Sequence, residues 1–139
     1  AKDTINNNGG TGTTATYYAS YNRLVINKAP TFKCTDTGDR FATSVGLITA
    51  DEVAYAGGLI GSENLNYYLY TNQYYWTMSP SDFYVSYNRA SIFCVRNKDG
   101  SFGSDTVEFT TSGIRPVINL KSDTVFVGSG FSSDPYIVS

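Results

Sequence analysis

The chain has 139 residues, of which 41% are hydrophobic and 16% charged, with a net charge of −2; that suits one domain with one core and leaves no room for a second catalytic unit. It contains no histidine, which excludes Ser-His-Asp and Cys-His nucleophilic machinery and histidine-ligated metals. The sequence has no Lys/Arg stripe and no apolar run near the ~20 residues of a membrane span, which argues against nucleic acid as a partner and against membrane contact by this segment.

In chain order, residues 1–16 read as a flexible lead-in, because NNNGGTGTTAT (6–16) offers only Ala15 as an apolar side chain. A single domain over 17–139 is expected to follow. The start at Ala1 without a methionine fits trimming from a longer precursor. Short strands are expected at Arg23 to Ile26 and Thr31 to Cys34, on either side of Pro30. Thr49 followed three residues later by Glu52 forms a capping box. It opens a short helix of about two turns (about 49–57) that Gly57-Gly58 ends, with Val53 and Ala56 facing inward.

Beyond the helix the pattern turns to strands and loops. Tyr67 to Tyr70 and Tyr74 to Met78 are β-prone. Ser79-Pro80-Ser81-Asp82 reads as a capped turn. Ala90 to Arg96 is a strand, and Asn97-Lys98-Asp99-Gly100 is the hairpin turn after it. Thr106 to Thr110, Ile114 to Leu120, Asp123 to Val127 and Tyr136 to Val138 complete the chain as short strands, with Pro116 at an edge or bulge. The expected class is α+β with antiparallel pairing.

The two cysteines, Cys34 and Cys94, leave two alternatives open. A bridge would add about 4 kcal/mol by restricting the unfolded chain; otherwise they are independent buried thiols. The Thr, Ser, Asn, Gly and Tyr bias suits an exported protein, where a bridge could persist.

Three phrases carry a resemblance. Gly46-Leu47-Ile48-Thr49-Ala50-Asp51-Glu52-Val53-Ala54-Tyr55-Ala56-Gly57-Gly58 resembles the helix of formylglycine-generating-enzyme-like proteins. Tyr75-Trp76-Thr77-Met78-Ser79-Pro80 and Gly113-Ile114-Arg115-Pro116-Val117-Ile118-Asn119-Leu120 look like the Trp-Ser-Ser and final Gly-x-Arg strands of that superfamily. The chain is more closely similar, over roughly residues 23–138, to a domain of unknown function in exported, often prepilin-like proteins of gut Gram-positive bacteria. The resemblance implies a C-type-lectin-like fold whose long loops bind ligands, and a secreted or cell-surface location. It also implies a core position for Trp76. The enzymes of that superfamily use a close cysteine pair near the C-terminus to bind copper, and only Cys94 falls in the second half of this chain. The Glu-Pro-Asn, Gln-Pro-Asp and Trp-Asn-Asp phrases of calcium-binding lectins are absent. Asn97, Asp99, Ser101 and Glu108 fall at several calcium-loop spacings, but Phe102 stands where that loop needs glycine. No catalytic residue, metal site or cofactor is therefore expected.

What remains is the stretch from Asn64 to Tyr87, with seven tyrosines, Trp76 and one charged residue, Asp82. Tyrosine with Ser and Asn is the composition of adaptable recognition surfaces. Strand alternation leaves one of each neighbouring ring pair outward. The expected platform is Tyr68, Tyr70, Tyr74, Tyr84 and Tyr87, with Asn88 and Arg89 beside them. Arg115, in an apolar strand, is expected to pair with Glu52, Asp51 or backbone carbonyls. The expected function is non-enzymatic recognition or adhesion toward an extracellular protein or glycan. The rivals are a pilin-like subunit that self-assembles through the full-length protein, and an enzyme of the formylglycine-generating type.

Overall fold

The computed structural model describes residues 15–33, 43–109, 111–130 and 133–138. Its centre is a four-stranded antiparallel sheet in the order β1-β3-β4-β5, made of β1 (Ala15–Tyr17), β3 (Tyr75–Tyr84), β4 (Arg89–Val95) and β5 (Phe102–Thr106). Two small ribbons accompany it: β2 (Gly46–Leu47) with β6 (Pro116–Val117), and β7 (Phe126–Val127) with β8 (Ile137–Val138). The expected α+β class holds. β1 starts at Ala15 and pairs with the far end of β3, inside the expected lead-in. Residues 1–14 lie outside the described residues.

Helix α2 (Ala50–Tyr55) forms as its sequence dictates. Thr49 Oγ1 accepts from the Glu52 backbone N–H at 3.2 Å, and Glu52 Oε2 accepts from the Thr49 N–H at 2.7 Å. The helix closes with Gly57 N–H donating to the Ala54 carbonyl and Gly58 N–H to the Val53 carbonyl. Val53 is fully buried, as expected, and Ala56 is half-buried against the core.

Asp51 is not free in the cap. Arg23 Nε donates to its Oδ1 at 3.0 Å and Arg23 Nη2 to its Oδ2 at 2.8 Å, while the Thr31 N–H also donates to Oδ1 at 2.9 Å. This fork corrects the strand expected at Arg23 to Ile26. The segment instead runs as helix α1 (Ala19–Tyr21) continuing into a π-helical stretch, Asn22–Ile26, with Asn27 N–H donating to the Asn22 carbonyl. The β-branched Val25-Ile26 pair suggested strand. Burial of Leu24 and the reach of Arg23 to Asp51 overrode that local preference. The rest of the second expected strand, Cys34, lies outside the described residues; Thr31 to Lys33 are not strand.

β3 is the longest strand, and it runs straight through the expected Ser79–Asp82 turn. Proline is tolerated there because the register shifts on both sides of Pro80, between Trp76 and Pro80 and between Pro80 and Asp82. Hydroxyl side chains occupy the local backbone groups. Ser20 Oγ donates to the Pro80 carbonyl, Thr77 Oγ1 to the Phe93 carbonyl at 2.9 Å, and the Ala50 N–H to Ser79 Oγ at 3.0 Å. The core lies between this sheet and α2, with Leu24, Ile48, Ala50, Val53, Tyr67, Tyr75, Phe93, Val95 and Phe102 in contact and the Phe93 and Phe102 rings 5.3 Å apart. The expected turn at 97–100 is present, closed by Arg96 N–H donating to the Ser101 carbonyl. Its strand partner is β5, not Thr106 to Thr110: Val107 and Glu108 already form a turn, and Thr110 lies outside the described residues. Tyr67 to Tyr70 is likewise a turn, with Tyr70 N–H donating to the Tyr67 carbonyl.

Two positions bear most on stability. Asp51→Ala removes the fork that ties the half-buried Arg23 guanidinium to α2 and is expected to cost about 3 kcal/mol, against about 1 kcal/mol for the Thr49→Ala cap deletion. Equilibrium urea unfolding ranks the two, and an equal cost would remove the ion pair from its central role. Gly100 has φ of 62°, and a Cβ there would lie 2.0 Å from the Asn64 carbonyl oxygen. Gly100→Ala is therefore expected to lower the melting temperature more than Thr49→Ala does.

Candidate functional site

The β3–β4 ladder sets the distance between the expected ligand-contacting side chains. Tyr75 pairs with Val95 at one end and Tyr84 with Arg89 at the other. A ten-residue strand spans about 30 Å at ~3.3 Å per residue. Tyr84, Tyr87, Asn88 and Arg89 therefore gather at the β3–β4 turn, whereas Tyr68, Tyr70 and Tyr74 gather at the opposite end. The seven side chains form two clusters, not one platform. Sequence alternation could say which rings point outward but not that a single strand separates them.

At the turn end, Val85–Tyr87 forms a single 3-10 turn and Asn88 adopts a left-handed conformation with φ of 49°. Tyr87 is 72% exposed. The Tyr84 hydroxyl meets that of Tyr17 at 3.5 Å; this hydrogen bond first, then burial, pushes the Tyr84 pKa up to about 12.

At the opposite end the rings are held by specific bonds. Tyr70 Oη donates to the Asn97 carbonyl at 2.8 Å. Tyr74 Oη donates to Asp105 Oδ2 at 2.9 Å and lies 3.0 Å from Cys94 Sγ. The Tyr74 ring stands edge-on to Trp76, 5.8 Å away, and lies 5.7 Å from Phe109. Trp76 is half-buried rather than a full core residue. Tyr68 projects freely, at 80% exposure.

The chain folds the Gly113 segment onto this end. Gly113 N–H donates to the Tyr74 carbonyl at 2.8 Å, and Trp76 N–H donates to the Gly113 carbonyl at 3.1 Å. These two bonds set residues 111–115 against residues 71–75, and the two segments flank an open cleft of about 490 Å³. Thr71, Gln73, Tyr74, Asn97, Ser112 and Arg115 are among its lining residues. Arg115 Nη1 donates to the Leu69 carbonyl at 2.6 Å, and its guanidinium lies 5.1 Å from the centre of the Tyr75 ring. The backbone carbonyl is one of the partners expected for Arg115; the carboxylate partners are not, since Asp51 is taken by Arg23 and Glu52 by the cap. Of the expected site residues only Tyr74 lines the cleft. Thr71, Gln73, Asn97, Ser112 and Arg115 were not legible as a group, although the Gly-Ile-Arg phrase and the Tyr74-Tyr75 pair were each visible as signals.

Cys94 is a free, fully buried thiol. That is the buried-thiol alternative for Cys94; Cys34 lies outside the described residues. Burial raises the Cys94 pKa to about 11, against the opposing effects of the Tyr74 bond and nearby Arg96. Burial likewise raises the Tyr67, Tyr74 and Tyr75 hydroxyls; the Cys94 and Asp105 contacts add to the effect on Tyr74, and Arg115 partly offsets it at Tyr75. Among the described residues no group of three or more Cys, Asp or Glu side chains could hold a metal ion, and no helix is long and apolar enough to cross a membrane. Compared with family models, curated proteins and solved structures, the chain has no match.

These raised values have a sign. Above about pH 9 the unfolded chain loses thiol and phenol protons that the folded chain keeps, so unfolding releases protons and stability falls as pH rises. The melting temperature is expected to be level from pH 6 to 8 and to decline from about pH 9 through 11. A flat profile to pH 11 would contradict the buried hydroxyl and thiol network. In a Cys34→Ser background, Cys94 is expected to resist a thiol reagent at pH 8 until denaturant is added; stoichiometric labelling of the native protein would contradict its burial.

Proposed function

We propose that this chain is a non-enzymatic recognition module of C-type-lectin-like fold, secreted or displayed at the cell surface, that binds a protein or glycan ligand at the Tyr68–Tyr74 end of the sheet. The observation that carries the reading is the cleft between residues 71–75 and 111–115, with hydroxyl, amide and guanidinium groups converging on it and Tyr74 in its wall. Concave sites with a few convergent polar groups and aromatic walls are where ligands are usually taken. Tyrosine offers a large rigid contact area at low entropic cost, and Tyr68, with its ring in solvent, extends the contact surface beside the cleft. The turn-end cluster is the weaker candidate, because none of its side chains lines this cleft.

Screening the chain on a glycan array and against candidate surface proteins tests this reading. Tyr68→Ala is expected to weaken the captured ligand at least tenfold and Tyr87→Ala less than twofold. The opposite ranking would move the site to the β3–β4 turn, and no binder in either screen would end the recognition reading.

One observation favours the pilin-like reading as a second possibility. Ile114, Ile118, Leu120, Val125, Phe126, Val127, Tyr136, Ile137 and Val138 are all exposed. An isolated two-stranded ribbon such as β7–β8 is marginal in water, and exposed apolar surface of this kind marks contact with other chains. Light scattering on the full-length protein separates the two readings: a monomer at high concentration disfavours self-assembly, and a concentration-dependent oligomer disrupted by Ile137→Asp supports it.

A further inference from the structure

The cleft beside β3 holds a charge that the fold does not balance. Arg115 is half-buried and lines the cleft, yet no carboxylate among the described residues pairs with it. The Leu69 carbonyl occupies one guanidinium N–H and the Tyr75 hydroxyl is a second hydrogen-bond neighbour, which leaves further N–H groups of the five that a guanidinium presents in a planar fork. The lining residues include no Asp or Glu; their polar groups are the hydroxyls of Thr71, Thr111 and Ser112 and the amides of Gln73 and Asn97. Ser112 Oγ is shielded from solvent and has no hydrogen-bond partner, which is costly for a polar group, and rotation of its side chain toward the cleft would give it one in a ligand.

We propose that this cleft binds a sugar carrying a carboxylate, with Arg115 gripping the carboxylate and the hydroxyl and amide groups receiving the ring hydroxyls. The inference rests on the recognition reading above and narrows it to a glycan. Arginine meets a carboxylate through two parallel charge-assisted bonds, the geometry its fork is built for. A neutral sugar would leave that fork unfilled, and a bare carboxylate would leave the surrounding hydroxyls and amides without partners. The volume, about 490 Å³, falls in the range of small-ligand sites, roughly 300–1,000 Å³. Arg115 is held over the Tyr75 ring before any ligand arrives, so little ordering remains to be done on binding.

The test is titration of the isotope-labelled chain, followed by amide NMR, with three probes: D-glucuronate, D-glucose and N-acetylglycine. D-Glucuronate is expected to shift the amides of Asn97 and of 111–115 with millimolar affinity, and both other probes to bind at least tenfold more weakly. Arg115→Lys keeps the charge and loses the fork, and is expected to weaken D-glucuronate at least tenfold. Ser112→Ala removes one small group, disturbs packing least, and is expected to weaken it about threefold; Lys121→Ala, away from the cleft, is expected to change nothing. Equal binding of D-glucose would overturn the role of Arg115, and equal binding of N-acetylglycine would overturn the sugar half of the proposal. If no probe shifts the cleft amides while the array or protein screen returns a ligand, this inference falls and the recognition reading stands; if both are silent, both fall.

Discussion

Two backbone hydrogen bonds at Gly113 hold the cleft end of the molecule together. β1 covers only the far end of β3, from Asp82 to Tyr84, so the edge near Tyr75 would otherwise be bare. Gly113 accepts from Trp76 and donates to Tyr74, bridging that edge in a parallel sense. A Cβ at Gly113 would lie 3.1 Å from the Tyr74 carbonyl oxygen, tighter than an ordinary contact. The close approach that glycine permits brings Ser112 and Arg115 beside Gln73 and Tyr74. Without it, the polar groups of the cleft would belong to two unconnected loops. Met78, next along the same edge, donates to the Ile48 carbonyl, so three separate segments share the work of completing one strand.

The remainder of the scaffold depends on polar groups that are fully committed. Asp51, whose side chain is 4% exposed, receives the Arg23 fork and the Thr31 N–H. That arrangement ties the π-helical stretch to α2 and spends the carboxylate entirely on architecture. The same is true of the hydroxyls of Ser20, Thr77 and Ser79 around the irregular middle of β3. The contrast with Arg115 and Ser112 is the informative part. Asp82 Oδ1 and Ser101 Oγ are also buried without a partner, so Ser112 is one of three such atoms among the described residues; what sets the cleft apart is that its unpartnered hydroxyl and a guanidinium without a carboxylate line the same concavity.

Local signals in the sequence were legible where chemistry between near neighbours decides the outcome. The Thr49–Glu52 capping box, the Gly57-Gly58 stop and the turn through Gly100 stand as read, because each depends on residues within a few positions. The strand expected at Arg23 to Ile26 failed because its fate rests on Asp51, 28 residues along the chain. The turn expected at Ser79–Asp82 failed because proline in a strand is tolerated at a bulge, and the bulge is created by pairing with β4. The expected tyrosine platform is divided in space. Tyrosines close together in sequence looked like one surface, but Tyr74 and Tyr84 sit at opposite ends of one long strand, while Arg115, far from either in sequence, stands beside Tyr75.

That division bears on how aromatic composition is read. Tyr67 and Tyr75 spend their rings in the core and their hydroxyls on the Gly100 and Leu69 carbonyls, so they are structural residues with satisfied polar ends. Tyr70 and Tyr74 are half-buried, their hydroxyls tied to Asn97 and Asp105, and so present ring faces in fixed orientations. Tyr68 and Tyr87 keep their rings mostly in solvent. A tyrosine whose hydroxyl is already bonded costs less to immobilise against a ligand than one that must be ordered from solvent. The cleft end combines both kinds, a fixed ring in Tyr74 and a free one in Tyr68, beside an unbalanced positive charge. The turn end also holds an exposed ring, that of Tyr87. Physical preorganisation, rather than the number of tyrosines, therefore makes the Gly113 end the better candidate for the proposed site.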